Sequence, residues 1–211
     1  MKILRKLVIL LLSTFCAVAL SAPDAINPDD HPLQGYSETE GSFYNKRTYT
    51  QHADLHTVLL THSDYYQTRH KIGDYDEIFM NKEIHAYDYA EQSGAMPKLS
   101  WKLYDFIHEC PTSARLDFAD DIPQITDIDG DGQKEIWLGY YKGCHGDVSP
   151  DELKVFMYLN GKKHSIRGRT HIFVDGHYSG GDYKEDSAMQ NAKKVFRDYG
   201  IKLFLKLANE K

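Results

Sequence analysis

The residues best suited to chemistry lie in one acidic stretch, residues 127–137, with the sequence DIDGDGQKEIW. Three aspartates alternate along it, so a curled loop can turn their carboxylates towards one centre. Carboxylates held that close repel each other, and a hard cation with oxygen ligands relieves the repulsion. Gly132 allows a sharp turn, after which a backbone carbonyl and a glutamate can reach the same centre. The spacing predicts a calcium site with five ligands: Asp127, Asp129, Asp131, Gln133 and Glu135.

This acidic stretch resembles the EF-hand loop in its first half and departs from it afterwards. Positions 1, 3 and 5 are Asp and position 6 is Gly, as in that loop. Position 12, where an EF-hand has a bidentate Glu, is Leu138, and residues 136–141 favour a strand over a helix. The stretch therefore resembles the calcium-binding turn of FG-GAP and similar β repeats, in which Glu135 closes the site. An all-oxygen protein cage favours calcium over magnesium. The alternative interpretation is a polar hairpin turn without a metal.

The amino terminus has the pattern of a secretory signal peptide, which we assign to residues 1–22. Three basic residues precede an apolar run, and small residues at positions 19 and 21 suit cleavage. The run is too short for a stable membrane span, so we expect an exported protein, periplasmic or secreted, with no span after cleavage. Residues 23–41 contain Pro, Gly and many charges, which predicts a flexible arm. Residues 42–211 are predicted to form a single domain.

Two cysteines, Cys110 and Cys144, remain in the predicted mature chain. In an oxidising compartment two cysteines usually pair, so we predict a disulfide between them. The bridge would tie the strand before the acidic loop to the strand after it. The alternative is that Cys144 acts as a thiol nucleophile with the adjacent His145 as its base. The third cysteine, Cys16, lies within the predicted signal peptide behind the bulky Phe15, which argues against lipidation.

The charge of the chain argues against polyanionic partners. The full chain has 25 basic and 31 acidic residues, a net charge of -6. Without the three basic residues of the signal peptide, 22 basic residues stand against 31 acidic ones, a net charge of -9. A surface this acidic argues against nucleic acid and anionic membranes as partners. It suits a protein that attracts divalent cations.

The hydrophobic pattern predicts an α+β fold, mainly antiparallel β-sheet with a C-terminal α-helix. Residues rich in aromatic and β-branched side chains recur in short runs separated by turn residues, and Asn160-Gly161 is a typical hairpin turn. Residues 187–209 show helical spacing, with Ser187 and Gln190 as a capping pair. Gly200 would kink or divide that helix. The predicted strands are 43–50, 56–62, 76–90, 99–109, 115–119, 135–142, 152–159 and 163–170, with 171–174 as an extension of the last. The run 76–90 is one long strand or two shorter ones. The apolar residues of 99–109 also fit helical spacing, but its aromatic residues favour a strand.

The polar segment 143–150 is a second candidate for chemistry. His145, Asp147 and Ser149 would supply a base and a nucleophile if they converged in a cleft. We favour the structural interpretation, in which the segment is a connection held by the disulfide. No G-x-S-x-G motif, phosphate loop or dinucleotide fingerprint occurs in the chain.

A family resemblance rests on several of these segments. The runs KEIHAYDYA, LSWKLYDFIHECP, TDIDGDGQKEIWLGYYKGCHGDVSPDELKVFMY and KKHSIRG resemble a family of small exported bacterial proteins labelled "surface polysaccharide biosynthesis protein". The similarity spans residues 83–168 and implies a role in the cell envelope, without supplying catalytic residues. We therefore expect a non-catalytic, calcium-binding accessory or binding module, with envelope polysaccharide or an envelope protein as partner. The alternative is an envelope enzyme that acts on surface glycan with the acids and histidines near 143–150.

Overall fold

Alternating apolar and polar residues place most of residues 33–209 in antiparallel strands. The structure is a computed structural model that describes residues 33–209, and these belong to one compact unit. The predicted signal peptide, residues 1–22, and residues 23–32 of the predicted arm lie outside the described residues.

Thirteen strands and two helices follow one another along the described residues. The strands are β1 (Ser42–Gln51), β2 (Asp54–His62), β3 (Tyr66–Ile72), β4 (Tyr75–Glu91), β5 (Lys98–Cys110), β6 (Ala114–Phe118), β7 (Gln124–Thr126), β8 (Glu135–Cys144), β9 (Glu152–Leu159), β10 (Lys162–Arg169), β11 (His171–Val174), β12 (His177–Gly180) and β13 (Tyr183–Glu185). The helices are α1 (Ser187–Gln190) and α2 (Lys194–Ala208).

The long strand β4 organises the first sheet. Its amino-terminal half pairs with β3, its carboxyl-terminal half pairs with β2, and β5 lies along its other side. β1 completes the sheet beyond β2, and every pairing is antiparallel. Because side chains alternate across a strand, Val58, Leu60, Ile84 and Ala86 point into the main core while their neighbours face outwards.

The second sheet has the order β13-β10-β9-β8-β6. Strand β7 pairs with the first residues of β8, and β6 pairs with the later residues of that strand. Helix α2 covers one face of this sheet. The ring of Trp137 lies 4.9 Å from the ring of Tyr199, and the hydroxyl of Tyr141 donates to the carbonyl of Leu207 at 3.1 Å. The small Gly139 lets the helix approach, since a Cβ there would lie 2.6 Å from Leu207.

The other face of the second sheet packs on the first sheet. Trp101 of β5 stacks on Tyr158 of β9 with ring centroids 3.9 Å apart. The hydroxyl of Tyr140 in β8 donates to Asp105 in β5 at 2.6 Å. The described residues therefore form three layers: the first sheet, the second sheet and α2. The prediction of an α+β fold, mainly antiparallel with a C-terminal helix, is confirmed.

The C-terminal helix differs from the prediction in its first turn. The run 187–209 is divided, with a break between Gln190 and Lys194, whereas Gly200 lies inside α2 without dividing it. The predicted capping pair is wrong, because the residue that caps α1 is Asp186, which accepts a hydrogen bond from the amide of Met189. A carboxylate satisfies the free amide at a helix start as a serine hydroxyl would.

Several strands also differ from the sequence prediction, and β3, β7, β12 and β13 fall outside the predicted runs. Residues 171–174 do not extend β10, since β11 pairs with β12 in a separate two-stranded sheet. Strand β3 was not predicted. It lies at an edge of the first sheet, and its mostly exposed, polar residues give little of the alternation that marks a half-buried strand.

The described part of the predicted arm, residues 33–41, packs on the outer face of the first sheet. Leu33 and Tyr36 pack against a small cluster of Leu59, Tyr87 and Tyr89. The hydroxyl of Tyr89 also donates to the carbonyl of residue 37 at 2.5 Å. This segment is thus attached to the domain by both apolar contact and hydrogen bonds.

Within residues 33–209, no helix has the length and apolar character needed to cross a membrane.

Candidate metal centre

The acidic stretch forms the loop between β7 and β8. These two strands pair antiparallel, with Thr126 opposite Glu135, so the loop begins and ends at neighbouring positions. Gly130 and Gly132 have φ values of 71° and 85°, a region that side chains disfavour, which lets the short loop curl back. A strand therefore precedes and a strand follows the loop, but the preceding strand is β7 and not the predicted run 115–119.

Three of the predicted ligands lie together in this loop. Oxygen atoms of Asp127, Asp129 and Glu135 all lie within 4.8 Å of one another. Asp127 and Asp129 are partly exposed, while Glu135 is fully buried at the base of the loop. Three carboxylates at this separation could hold a metal ion.

Glu135 is held in place through one of its two oxygens. Its Oε2 accepts hydrogen bonds from the Thr126 hydroxyl at 2.7 Å and the Ile128 amide at 3.0 Å. Its Oε1 is buried and has no hydrogen-bond partner. Burial raises the pKa of Glu135, and the charges of Asp129 and Asp127 raise it further, although the two hydrogen bonds oppose this. An unpartnered buried carboxylate oxygen is costly unless a cation or proton meets it.

Two lysines balance the two aspartates. Lys134 Nζ lies 3.1 Å from Asp127 Oδ2, and the ammonium of Lys193 contacts Asp129. These hydrogen bonds lower the pKa of both aspartates, so both carboxylates are held in the ionised form that binds metals. Lys193 is the residue just before α2, where a cation is unfavourable to the helix dipole, and its contact with the loop offsets that cost.

The remaining two predicted ligands are arranged differently. Asp131 does not join the group of three: its Oδ1 accepts from the Gln133 amide at 2.9 Å, and its Oδ2 lies 3.4 Å from Lys193 Nζ. The side chain of Gln133 contacts Asn160 in the β9–β10 turn. The backbone amide of Lys134 donates to the Gln51 side chain at 2.8 Å, so the loop is also anchored to β1.

The predicted disulfide between Cys110 and Cys144 is confirmed. The Cα atoms of these residues are 5.7 Å apart and the sulfurs are bonded. Cys110 ends β5 in the first sheet and Cys144 ends β8 in the second. The bridge therefore links the two sheets covalently by joining β5 to β8, the strand that follows the loop, whereas the strand directly before the loop is β7.

The polar segment 143–150 brings two of its three candidate residues, His145 and Asp147, near each other at an exposed position. His145 Nε2 lies 2.9 Å from Asp151 Oδ1, an acid just outside the segment. The Asp147 side chain is 73% exposed, and its Oδ1 lies 3.6 Å from His145 Nδ1. The cysteine beside His145 is in the disulfide. The geometry supports the structural interpretation of this segment, a connection held by the bridge and by the His145–Asp151 pair.

Sequence reasoning missed a second polar cluster, formed by Tyr49, His56 and Asp88. His56 Nδ1 lies 3.0 Å from Asp88 Oδ2 and 3.1 Å from the Tyr49 hydroxyl, which also donates to Asp88 Oδ1 at 3.3 Å. One signal was available. Asp88 lies two residues after Ala86 and four after Ile84 in β4, so alternation places this acid on the same inward face as those core residues.

No family model, no curated protein and no solved structure matches this chain. The resemblance to proteins of surface polysaccharide biosynthesis therefore stays a prediction. Function has to be inferred from the chain's own residues and their geometry.

Proposed function

We propose that this protein is a calcium-binding module and that the β7–β8 loop is its calcium site. Asp127, Asp129 and Glu135 would supply the carboxylates, with Asp131 and the backbone carbonyl of Gln133 completing the oxygen ligands. The observation that carries the proposal is the Oε1 atom of Glu135, fully buried and unpartnered beside two other carboxylates. A bound divalent cation would satisfy that atom and compensate the repulsion between the three acids.

The two lysines suggest how the site responds to the metal. Each lysine neutralises one aspartate. The exposed fraction of the side chain is 31% for Lys134 and 59% for Lys193. Exposed ion pairs of this kind contribute little stability, so a divalent cation can displace both ammonium groups at small cost. Calcium accepts the six to eight oxygen ligands that a flexible loop provides, whereas magnesium demands stricter octahedral geometry and retains its water.

A calcium titration of the mature, oxidised protein tests the site. We expect saturable heat in calorimetry and a rise in melting temperature that grows with free calcium. Ligand at one hundred times its dissociation constant adds about 2.7 kcal/mol to the free energy of unfolding. Magnesium should give a much weaker response under the same conditions.

Three variants make this titration specific. Asp129→Ala should abolish calcium binding, and Glu135→Gln should do so while keeping the volume and the hydrogen-bonding ability of the side chain. Asp64→Ala, at an exposed acid between β2 and β3, is the matched control and should bind calcium as the wild type does. If millimolar calcium gives neither heat nor a thermal shift in the wild type, the loop is a plain polar turn and the proposal fails.

We further propose that the protein is exported and acts in the cell envelope as a non-catalytic accessory or binding module, with envelope polysaccharide or an envelope protein as partner. The pattern of residues 1–22, the acidic mature chain and the disulfide support this role. The alternative, an envelope enzyme acting through segment 143–150, has less support, because His145 pairs with Asp151 and the Asp147 carboxylate near it is 73% exposed.

Export predicts a shortened chain. When the full-length protein is produced in a bacterial host, we expect the periplasmic or extracellular fraction to contain a chain that has lost about 22 residues. Intact-mass measurement of that fraction checks the prediction. A variant with Leu10 and Leu11 changed to Arg, which breaks the apolar run, should stay uncleaved in the cytoplasm. A full-length chain in the cytoplasm for both proteins would contradict export.

A further inference from the structure

A cavity of about 280 Å³ lies where the first sheet meets the second, beside the metal loop. The polar cluster of Tyr49, His56 and Asp88 forms one wall, and the stacked rings of Trp101 and Tyr158 form another. Its mouth is bordered by exposed residues on β5 and on the β9–β10 turn. Its size is near the lower end of ligand pockets, roughly 300–1,000 Å³, and suits a single small ring.

A buried acid is the central polar group of this cavity. The Asp88 side chain is only 2% exposed, and burial raises its pKa even though hydrogen bonds from His56, Tyr49 and Ser100 oppose the effect. The contact between Asp88 and His56 Nδ1 turns the other ring nitrogen, Nε2, away from the acid. The cluster therefore offers a carboxyl acceptor, an imidazole nitrogen and a phenol in one small space.

The remaining lining determines which ligand chemistry fits. Gln51 and Asn160 each provide an amide donor and acceptor, and Lys134 provides a cation at the edge. Asp88 would repel an anionic ligand, and Lys134 would repel a cationic one. Each of these polar side chains has hydrogen-bonding capacity beyond its contacts within the protein, and a purely apolar ligand would leave that capacity unused. The lining thus favours a neutral ligand that carries many hydroxyl groups and one apolar face to lie against an aromatic ring.

We propose that this cavity binds a single neutral sugar ring, as a monosaccharide or as one residue of a glycan. Hydroxyl groups of the sugar would pair with Asp88, His56 and the two amide side chains, and the C–H face would lie against Trp101. The inference deepens the proposed link to envelope polysaccharide and rests on it only for the source of the sugar. It does not require calcium to bind.

Hydrogen bonds connect the rim of the cavity to the adjacent metal loop. Gln51 accepts from the Lys134 amide at 2.8 Å and donates to Asn160 at 3.3 Å. Lys134 in turn reaches Asp127 with its side chain. Residues that border the cavity therefore also hold the loop in place.

Amide chemical-shift mapping of the mature, oxidised protein tests the proposal. The probes are D-glucose, D-galactose, D-mannose and N-acetyl-D-glucosamine, each titrated to millimolar concentrations with calcium and again with a chelator. For at least one sugar we expect saturable shifts at Tyr49, Gln51, His56, Ser100 and Asn160. Asp88→Asn should weaken that binding by about tenfold, the effect of losing one charge-assisted hydrogen bond.

A blocking variant covers the possibility that Asp88→Asn does not fold. Ser100 borders the cavity on the exposed side of β5, so Ser100→Phe should fill the mouth and abolish the shifts while the strand tolerates the aromatic ring. Ser179→Phe, at an exposed serine of β12, is the matched control and should leave binding unchanged.

Each result decides the proposal separately from the calcium site. Shifts at the cavity that Ser100→Phe removes support it, whether or not calcium binds. The proposal is overturned if none of the four sugars shifts the cavity residues, or if Ser100→Phe leaves the shifts intact. It is also overturned if the shifts fall instead on the exposed rings of Tyr104 and Phe106, on the outer face of the first sheet. Calorimetric calcium binding in the same sample shows whether the proposed metal site stands.

Discussion

Replacing both Cys110 and Cys144 with alanine is expected to lower the free energy of unfolding by about 3–4 kcal/mol. The bridge spans a sequence separation of 34 residues, and closing a loop of that length restricts the unfolded chain by this amount in the entropic model. The bridge also joins β5 of the first sheet to β8 of the second, so without it the chain between β5 and β6 is the covalent link that remains between these two sheets. Since a small domain is stable by about 5–15 kcal/mol, the loss is a large fraction of the total.

Urea unfolding measures this effect, with a thiol reductant as an independent route to the same state. Reduction should destabilise the wild type as much as the double substitution does. Adding reductant to the double variant should change nothing further, which separates loss of the bridge from side effects of the reagent. A double variant as stable as the oxidised wild type would contradict the expectation.

Local patterns in the sequence predict much of this fold because the residue types and alternation within a single run are enough to identify a strand. The run 152–159 coincides with β9, and the long run 76–90 lies within β4. In β4, alternation also distributes the side chains, with Ile84 and Ala86 in the main core and Tyr87 in the outer cluster. The acidic loop is equally local, since its carboxylates lie within nine residues of one another.

What sequence reasoning missed depends on contacts between distant residues. His56 and Asp88 are 32 residues apart and meet only because β2 pairs with β4. The contact of Lys193 with the loop spans 64 residues, and no spacing rule connects the start of α2 to an acidic turn. The capping residue of α1 was predicted wrongly because Asp186 and Ser187 are adjacent and are both good caps. The backbone amide and hydroxyl of Ser165 on β10 also bind Asp186, and this tertiary contact selects the aspartate.

Both proposed sites lie at the junction of the two sheets, at the same end of β8. The calcium loop precedes the start of β8, and the cavity lies between that strand's neighbour β9 and the first sheet. Gln51 of β1 and Asn160 of the β9–β10 turn connect them by hydrogen bonds. An ordered loop would therefore support the rim of the cavity, and the proposed calcium site would then have a structural role beyond its own strands.

At the other end of the same junction, Asp105→Asn is expected to destabilise the protein by roughly 3 kcal/mol at neutral pH. Asp105 is 13% exposed and accepts hydrogen bonds from Lys142 at 2.8 Å, Lys154 at 2.6 Å and Tyr140 at 2.6 Å. A neutral amide in its place leaves two ammonium groups, one of them nearly buried, without a counter-charge. Asp182→Asn removes an exposed partner of Arg169 and, as the control, should cost less than about 1 kcal/mol.

The pH dependence of this difference identifies its electrostatic origin. Burial alone would raise the pKa of Asp105, but the hydrogen bonds from the two lysines and Tyr140 outweigh it and hold the pKa well below the usual 3.8. A carboxyl with a lowered pKa in the folded state contributes stability that is fully present above its unfolded pKa and is lost as pH falls towards the folded value. In urea unfolding across a pH series, the gap between wild type and Asp105→Asn should therefore stay constant from about pH 5 to 8 and shrink below about pH 4. A gap that stays the same down to pH 3 would instead indicate lost packing or hydrogen bonding, and the ion cluster would then contribute little to the attachment of the two sheets.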